Sequence, residues 1–245
     1  MRFRLSLRGL TVAAAVLLLV ALLAGCGGGS SSSSSASSDN GVSGKSPADI
    51  LTATKVAADG ASTVHVSGSI VSDGSPITLD MNLLAGKGGR GKLSESGLAF
   101  ELIAVGKTVY IKGSPAFYKH IGGTAAAQLL QGKWLKAPAN SSDFASLGQL
   151  TDLRQLVDQT LANHGKTLTN IGTSTIAGQK VVGITDKSKG GTLYVATTGQ
   201  PYPIQISKGG SGGGKITFDR WNGTVTLAAP ANAIDVAQLQ HAGQQ

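Results

Sequence analysis

Few residues in this 245-residue chain could do covalent or acid–base chemistry, and their spacing limits what they can do. Cys26 is the only thiol, and His65, His120, His164 and His241 are the only imidazoles. The histidines are dispersed, with no i,i+4 pair and no H-E-x-x-H, so their spacing builds no metal centre. His65 falls among the polar positions of a strand pattern, where an exposed histidine is expected. His164 adjoins Gly165 at a helix end, where it complements the dipole. Glu95 and Glu101 are the only glutamates, and nothing pairs them as glycoside hydrolysis requires. Gly209-Gly210-Ser211-Gly212-Gly213 matches G-x-S-x-G in form. That elbow must join a strand to a helix, whereas here a glycine turn separates two strand patterns. Gly86-Lys87-Gly88-Gly89-Arg90-Gly91 matches G-x-G-x-x-G, yet Lys92-Leu93 continues as a strand, so it reads as a hairpin turn. Asp39 stands where a P-loop ending in Gly44-Lys45-Ser46 needs its first glycine, and a serine tail replaces the strand. No catalytic residue, metal or cofactor site is expected.

Cys26 is different, because its surroundings specify a reaction. Arg2, Arg4 and Arg8 precede fifteen residues, Leu10 to Ala24, that are apolar except for Thr11. A charged n-region, an apolar h-region and a small-residue cleavage site are the layout of a secretory signal. Fifteen residues at ~1.5 Å each reach about 22 Å, short of the ~30 Å hydrocarbon core, so a spanning helix is not expected. Leu23-Ala24-Gly25-Cys26 resembles a bacterial lipobox. That resemblance implies diacylglycerol transfer to the Cys26 thiol, cleavage before it, and removal of residues 1–25 as a lipoprotein signal peptide. The protein would then sit at the cell membrane, lipid-anchored on the extracytoplasmic side. It also makes the Asn140-Ser141-Ser142 and Asn222-Gly223-Thr224 sequons incidental. With the cysteine spent on the lipid, there is no disulfide framework and no thiol catalysis.

Residues 26–44 read as the lipidated cysteine and a tether. Nine of the eighteen residues Gly27–Gly44 are Ser and five are Gly, too little apolar area to offset the entropy of ordering. A flexible coil of that length has an r.m.s. span of roughly 25 Å. Residues 45–245 are long enough for one domain with a sizeable core. Without the three signal arginines the formal charge falls from +8 to +5, and the remaining Lys and Arg are scattered. Nucleic acid is not an expected partner, whereas mild attraction to anionic headgroups is, at ~1 kcal/mol per cation near the surface.

The elements that position the apolar residues follow from periodicity. Ser46 caps, Pro47 suits the first turn and Gly60 follows the last, which predicts a helix with Ile50, Leu51, Thr54, Ala57 and Ala58 on one face. From Ser62 the period becomes two: Val64, Val66, Gly68 and Ile70 alternate with polar residues. Beyond Asp73-Gly74, Ile77, Leu79, Met81 and Leu83 do the same, giving an antiparallel hairpin. Gly89–Glu95, Leu98–Val105 and Thr108–Lys112 read as three more strands. Ala116–Gln131 reads as two short helical pieces broken at Gly122-Gly123, and Gly132–Lys136 as a strand. Asp143–Gly148 reads as a short helix, and Thr151–His164 as a helix with Leu153, Leu156, Val157 and Leu161 as its stripe. Strands are then predicted at Leu168–Ile176, Gln179–Thr185, Thr192–Thr197, Pro203–Ser207, Lys215–Trp221 and Thr224–Leu227. Strands on either side of a helical block predict an α+β fold. Its form would be a single strongly curved antiparallel sheet, a half-barrel, with helices packed on the concave face.

The order of several short runs resembles the actinobacterial lipoproteins of the LppX/LprAFG family. These runs are Gly132-Lys133-Trp134, Ala177-Gly178-Gln179-Lys180-Val181-Val182-Gly183-Ile184 and Gly191-Thr192-Leu193-Tyr194-Val195. Gly199-Gln200-Pro201-Tyr202-Pro203-Ile204 and Phe218-Asp219-Arg220-Trp221-Asn222, with Pro230, complete the series. The family is similar in turn to the LolA/LolB carriers, whose half-barrel and helical lid enclose a cavity for acyl chains. The resemblance implies a LolA-like domain over residues 45–245 that binds a lipid, glycolipid or lipidated cargo and shuttles it across the envelope, with an envelope transport partner. It carries no short signature for individual binding residues.

A lipid cavity needs apolar side chains facing inward from a curved sheet, with few charges among them. The candidates by periodicity are Val66, Ile70, Leu79, Met81, Leu83, Phe100, Leu102, Leu153, Leu156 and Val157, with Val64 and Ile77 on the same strand faces. The 28 glycines of residues 45–245 favour the bends and free space of a half-barrel. The alternative is that these side chains fill a solid core, which would make the protein a non-transport envelope scaffold or sensor.

Overall fold

The apolar period of the chain changes from 3.6 to two and back, and the elements change with it. The computed structural model describes residues 38–242 apart from 73 and 142–143. The expected signal peptide, residues 1–25, and Cys26 lie outside the described residues. Helix α1 spans Pro47–Asp59; the Ser46 hydroxyl accepts from the Asp49 amide, and Ile50, Thr54, Ala57 and Ala58 form the buried face. An antiparallel meander follows: β1 (Thr63–Ser72), β2 (Ser75–Leu84), β3 (Gly88–Glu95), β4 (Leu98–Val105) and β5 (Thr108–Gly113). The β1–β2 register sets Val64 against Leu83, Val66 against Met81, Gly68 against Leu79 and Ile70 against Ile77. Both alternating apolar rows therefore share one face.

Helix α2 (Pro115–Leu130) breaks where Gly122 and Gly123 leave helical geometry, Gly123 with φ 72°. Buried Tyr118 fastens it: its hydroxyl accepts from the Gly113 amide at 2.9 Å and donates to the Lys133 carbonyl at 3.0 Å. Strand β6 (Leu135–Pro138) and helices α3 (Ala145–Leu150) and α4 (Leu153–Ala162) come next. A second meander comprises β7 (Leu168–Ile176), β8 (Gln179–Asp186), β9 (Thr192–Ala196), β10 (Pro203–Lys208) and β11 (Gly214–Asp219). The chain closes with β12 (Ile234–Asp235), parallel to β6, and α5 (Val236–Ala242).

All twelve strands join one sheet in the order β12-β6-β5-β4-β3-β2-β1-β11-β10-β9-β8-β7. The two meanders thus run outward from a seam where β1 pairs with β11. The architecture is α+β, an open, curved and mostly antiparallel sheet of half-barrel form. The main core sets Leu153, Val157 and Leu161 of α4 and Ala58 of α1 against Val64, Val66, Met81, Leu83, Leu102, Val109, Ile111 and Phe218 of the sheet.

Two expectations change. Thr224–Leu227 is not a strand. Both edges of β11 are already occupied, by β1 and β10, so the chain leaving it has no free edge there to pair with. The expected tether also ends earlier than Gly44. Asp39 bridges to Thr198, residues Val42–Gly44 form one turn of 3₁₀ helix, and Val42 is buried beside Ile50, Val182, Ile184 and Val195.

Candidate functional site

The stripe of α4 divides into two rows with different surroundings. Leu153, Val157 and Leu161 recur every four residues and are buried in the main core. Leu156 and Thr160 form the neighbouring row, four residues apart on an adjacent side of the helix, and the C-cap Asn163 follows them. That row faces a cavity of about 440 Å³ over the sheet seam. Val66 and Ile70 of β1, Leu79 of β2, Ile206 and Lys208 of β10, and Ile216 and Phe218 of β11 form its sheet wall. Leu150 of α3, with Lys189, Gly190 and Gly191 of the β8–β9 turn, completes the rim. A second pocket of about 100 Å³ adjoins it beneath α1 and α4, sharing Thr160, Asn163, Gly190, Gly191 and Ile206.

The packing of α4 on the sheet decides which candidates reach this space. Val66, Ile70, Leu79 and Leu156 line the cavity. Met81, Leu83, Leu102, Leu153 and Val157, expected at its wall, are instead packed in the solid core. Met81, Leu83 and Leu102 of the sheet pack there with Leu153 and Val157 of α4, while Val66, a member of the same core, stands at its border with the cavity. Ile70 and Leu79 lie nearer the far end of the first hairpin, and Ile70 remains 36 % exposed. Phe100 is also displaced: its ring lies 5.2 Å from that of Phe117 on α2, and it lines a separate groove of about 340 Å³.

Periodicity missed the residues of the second meander. Ile206 and Lys208 alternate, as do Ile216 and Phe218, but only the β1–β11 pairing brings them to the cavity. Asp186 was also missed, although an Asp followed by Ser188 and a Gly-Gly pair signals an Asx-type turn. Its Oδ1 accepts from the amides of Ser188 and Lys189 at 2.8 and 3.0 Å and from the Ser188 hydroxyl at 2.7 Å. Its Oδ2 accepts from the Gly165 amide at 2.6 Å. These donors, the Gly165 and Lys189 amides foremost, hold the carboxyl well below the usual carboxylate range. The carboxylate thereby ties the turn bearing Lys189 to the chain leaving α4.

His65 is not exposed but only 6 % accessible, on the opposite face of the sheet from Val64 and Val66. Its Nδ1 lies 2.5 Å from an Asp219 carboxylate oxygen and its Nε2 3.1 Å from one of Asp80. With both ring nitrogens engaged by carboxylates, the imidazole clamps β1, β2 and β11 together. Among the described residues no group of three or more His, Cys, Asp or Glu side chains is arranged to hold a metal ion. Nor is any described helix long and apolar enough to cross a membrane.

No protein-family model and no curated protein matches the chain. Among solved structures, LprF from Mycobacterium bovis is similar at 18 % identity and a TM-score of 0.52, over 76 % of this chain and 99 % of that one. The Mycobacterium tuberculosis lipoprotein LppX aligns at 20 % identity and a TM-score of 0.49, over 75 % of this chain and all of that one. The likeness to LprF is one of fold: the same curved sheet with helices against it.

Proposed function

We propose that this chain, which has the fold of LprF, is a membrane-anchored extracytoplasmic protein that binds an acyl-chain ligand in the cavity over the β1–β11 seam. The observation carrying this reading is the cavity itself. Its volume of about 440 Å³ falls within the ~300–1,000 Å³ typical of small-ligand sites. Its sheet wall is Val, Ile, Leu and Phe apart from Lys208, which with Lys189 of the β8–β9 turn supplies the only charged side chains lining it among the described residues. An apolar void loses dispersion contacts and exposes hydrocarbon to water, so a protein that keeps one gains by filling it with an apolar ligand. The domain would hand lipid, glycolipid or lipidated cargo between the membrane and an envelope partner, with acylated Cys26 keeping it at the membrane.

The test is to obstruct the cavity without disturbing the core. Leu156→Trp is expected to abolish lipid co-purifying with the full chain while changing stability by less than ~1 kcal/mol, because free space receives the ring. Leu153→Trp, in the packed row of the same helix, is expected to cost ~1–3 kcal/mol by overpacking. Equal destabilisation by both, with no lipid on the parent protein, would leave the scaffold reading in its place. The anchor has its own test: Cys26→Ser is expected to lose metabolic palmitate label and detergent-phase partitioning, and equal labelling would refute it.

A further inference from the structure

The charges of the cavity are all of one sign, and they cluster on one side of its mouth. Lys189 and Lys208 are the only charged side chains among the described residues that line it. Neither takes part in an ion pair among the described residues. Lys189 Nζ donates instead to the neutral Asn163 side-chain oxygen, at 2.9 Å. Asn163, the residue that caps the C-terminal end of α4, lines the cavity, so this bond brings the ammonium to the helix side of the mouth. Lys208 follows Ile206 by two residues on β10 and therefore shares its inward face. Its stem lies close over the β8–β9 turn, where an added Cβ on Gly190 would meet Lys208 Cε at 3.7 Å. The turn itself is held by the four hydrogen bonds to Asp186. Two cations are thus presented by fixed backbone beside an apolar opening whose other margin is formed by Ile70 and Leu150, each 36 % exposed.

We infer that the mouth recognises an anionic, phosphate-bearing amphiphile, whose phosphate sits between Lys189 and Lys208 while its acyl chain enters the cavity. This rests on the acyl-chain reading above and adds the headgroup. The acyl part supplies apolar burial, which does not discriminate between headgroups. The lysines supply charge-assisted hydrogen bonds that a neutral lipid with the same chains cannot satisfy. Two charge-assisted contacts to one phosphate, absent with a neutral lipid, amount to a preference of roughly tenfold or more.

The experiment offers the full-length chain, in non-ionic detergent, equal amounts of dioleoyl phosphatidylglycerol and dioleoylglycerol. Retained lipid per protein is then quantified by mass spectrometry, with the Leu156→Trp chain giving the micelle background. The parent is expected to retain phosphatidylglycerol about tenfold over dioleoylglycerol. Lys189→Gln combined with Lys208→Gln is expected to erase that preference, bringing retained phosphatidylglycerol down to the level of dioleoylglycerol. The matching double Arg variant should keep it. Preserved melting temperature in the Gln variant establishes folding, and Lys208→Gln alone gives a milder variant with a partial loss. Dioleoylglycerol retained with no preference for phosphatidylglycerol would overturn the headgroup inference alone. A preference that survives both Gln substitutions would overturn it too. Neither lipid retained above background would overturn the cavity reading beneath it. Excess inorganic phosphate should not release the phosphatidylglycerol; release would make the lysines a site for free phosphate and overturn the amphiphile.

Discussion

Asp186 shows how one carboxylate can organise a site it does not occupy. Its oxygens accept from Gly165, Ser188 and Lys189 amides, so the β8–β9 turn and the exit of α4 keep their spacing at the cavity rim. Because these bonds lower its pKa in the folded protein relative to the unfolded chain, folding is favoured wherever the unfolded carboxyl is ionised. The contribution is therefore full above about pH 4, the unfolded value, and fades as pH falls from there toward the folded value. Asp186→Asn should lower the melting temperature at pH 7, and the gap to the parent should narrow between about pH 4 and pH 2. A gap independent of pH would show that shape, not charge, matters at this position. His65 teaches the converse lesson. A histidine among polar strand residues reads as exposed, and only the register that brings Asp80 and Asp219 beside it reveals a buried clamp.

At the scale of elements, the seam between the two meanders is the least local part of the fold. β1 and β11 are separated by well over a hundred residues, and glycine permits their close approach. Gly68 has φ 148°, and a Cβ there would run into the Lys215 carbonyl and meet Ile216 Cα at 3.0 Å. Gly68→Ala is expected to cost ~1–3 kcal/mol in denaturant melts, since both backbone strain and a backbone clash must be relieved. Gly212→Ala, where nothing lies within 4 Å of an added Cβ, should be neutral or stabilising by up to ~1 kcal/mol. Comparable effects at both sites would remove the seam argument. The same non-locality marks the limit of sequence reading. The first hairpin was legible because alternation of Val64, Val66 and Ile70 with polar neighbours is a local signal, and it predicted the face on which Leu79 lies. The division of α4 into a core row and a cavity row was not. Leu153 and Leu156 are both leucines on an apolar stripe, and only the packing of α4 on the sheet shows which of its adjacent rows enters the core and which lines the cavity. Lys189 and Lys208 were invisible for a similar reason: a turn lysine and a strand-end lysine have no shared sequence signal until β10 lies beside β9 and α4 beneath them.

At the scale of the whole molecule, the boundary between tether and domain would decide how far the cavity sits from the proposed anchor at Cys26. Composition reads all of 26–44 as tether, yet its last residues are integral to the described domain. The Asn40 amide donates to the Thr197 carbonyl at 2.8 Å, and its side chain donates to the carbonyls of Ala196 and Gly199 at 3.1 and 3.0 Å. Asn170, in β7, reaches back to the Ser43 carbonyl at 3.1 Å. Val42, 2 % exposed, closes the small core between α1 and the β8–β9 strands. A serine- and glycine-rich composition concealed this, because one valine and one asparagine supply the attachment. Deleting residues 27–36 is expected to leave the melting temperature unchanged, since that stretch has nothing apolar to bury beyond one alanine. Deleting residues 38–44 instead should destabilise the domain clearly, and Val42→Ala alone should cost about 2 kcal/mol from lost burial. If the two deletions behave alike, Asp39–Gly44 is tether after all. If only the second is harmful, the domain begins about six residues closer to Cys26 than composition indicates, and an anchor at Cys26 would hold the cavity correspondingly nearer the bilayer from which its ligand would come.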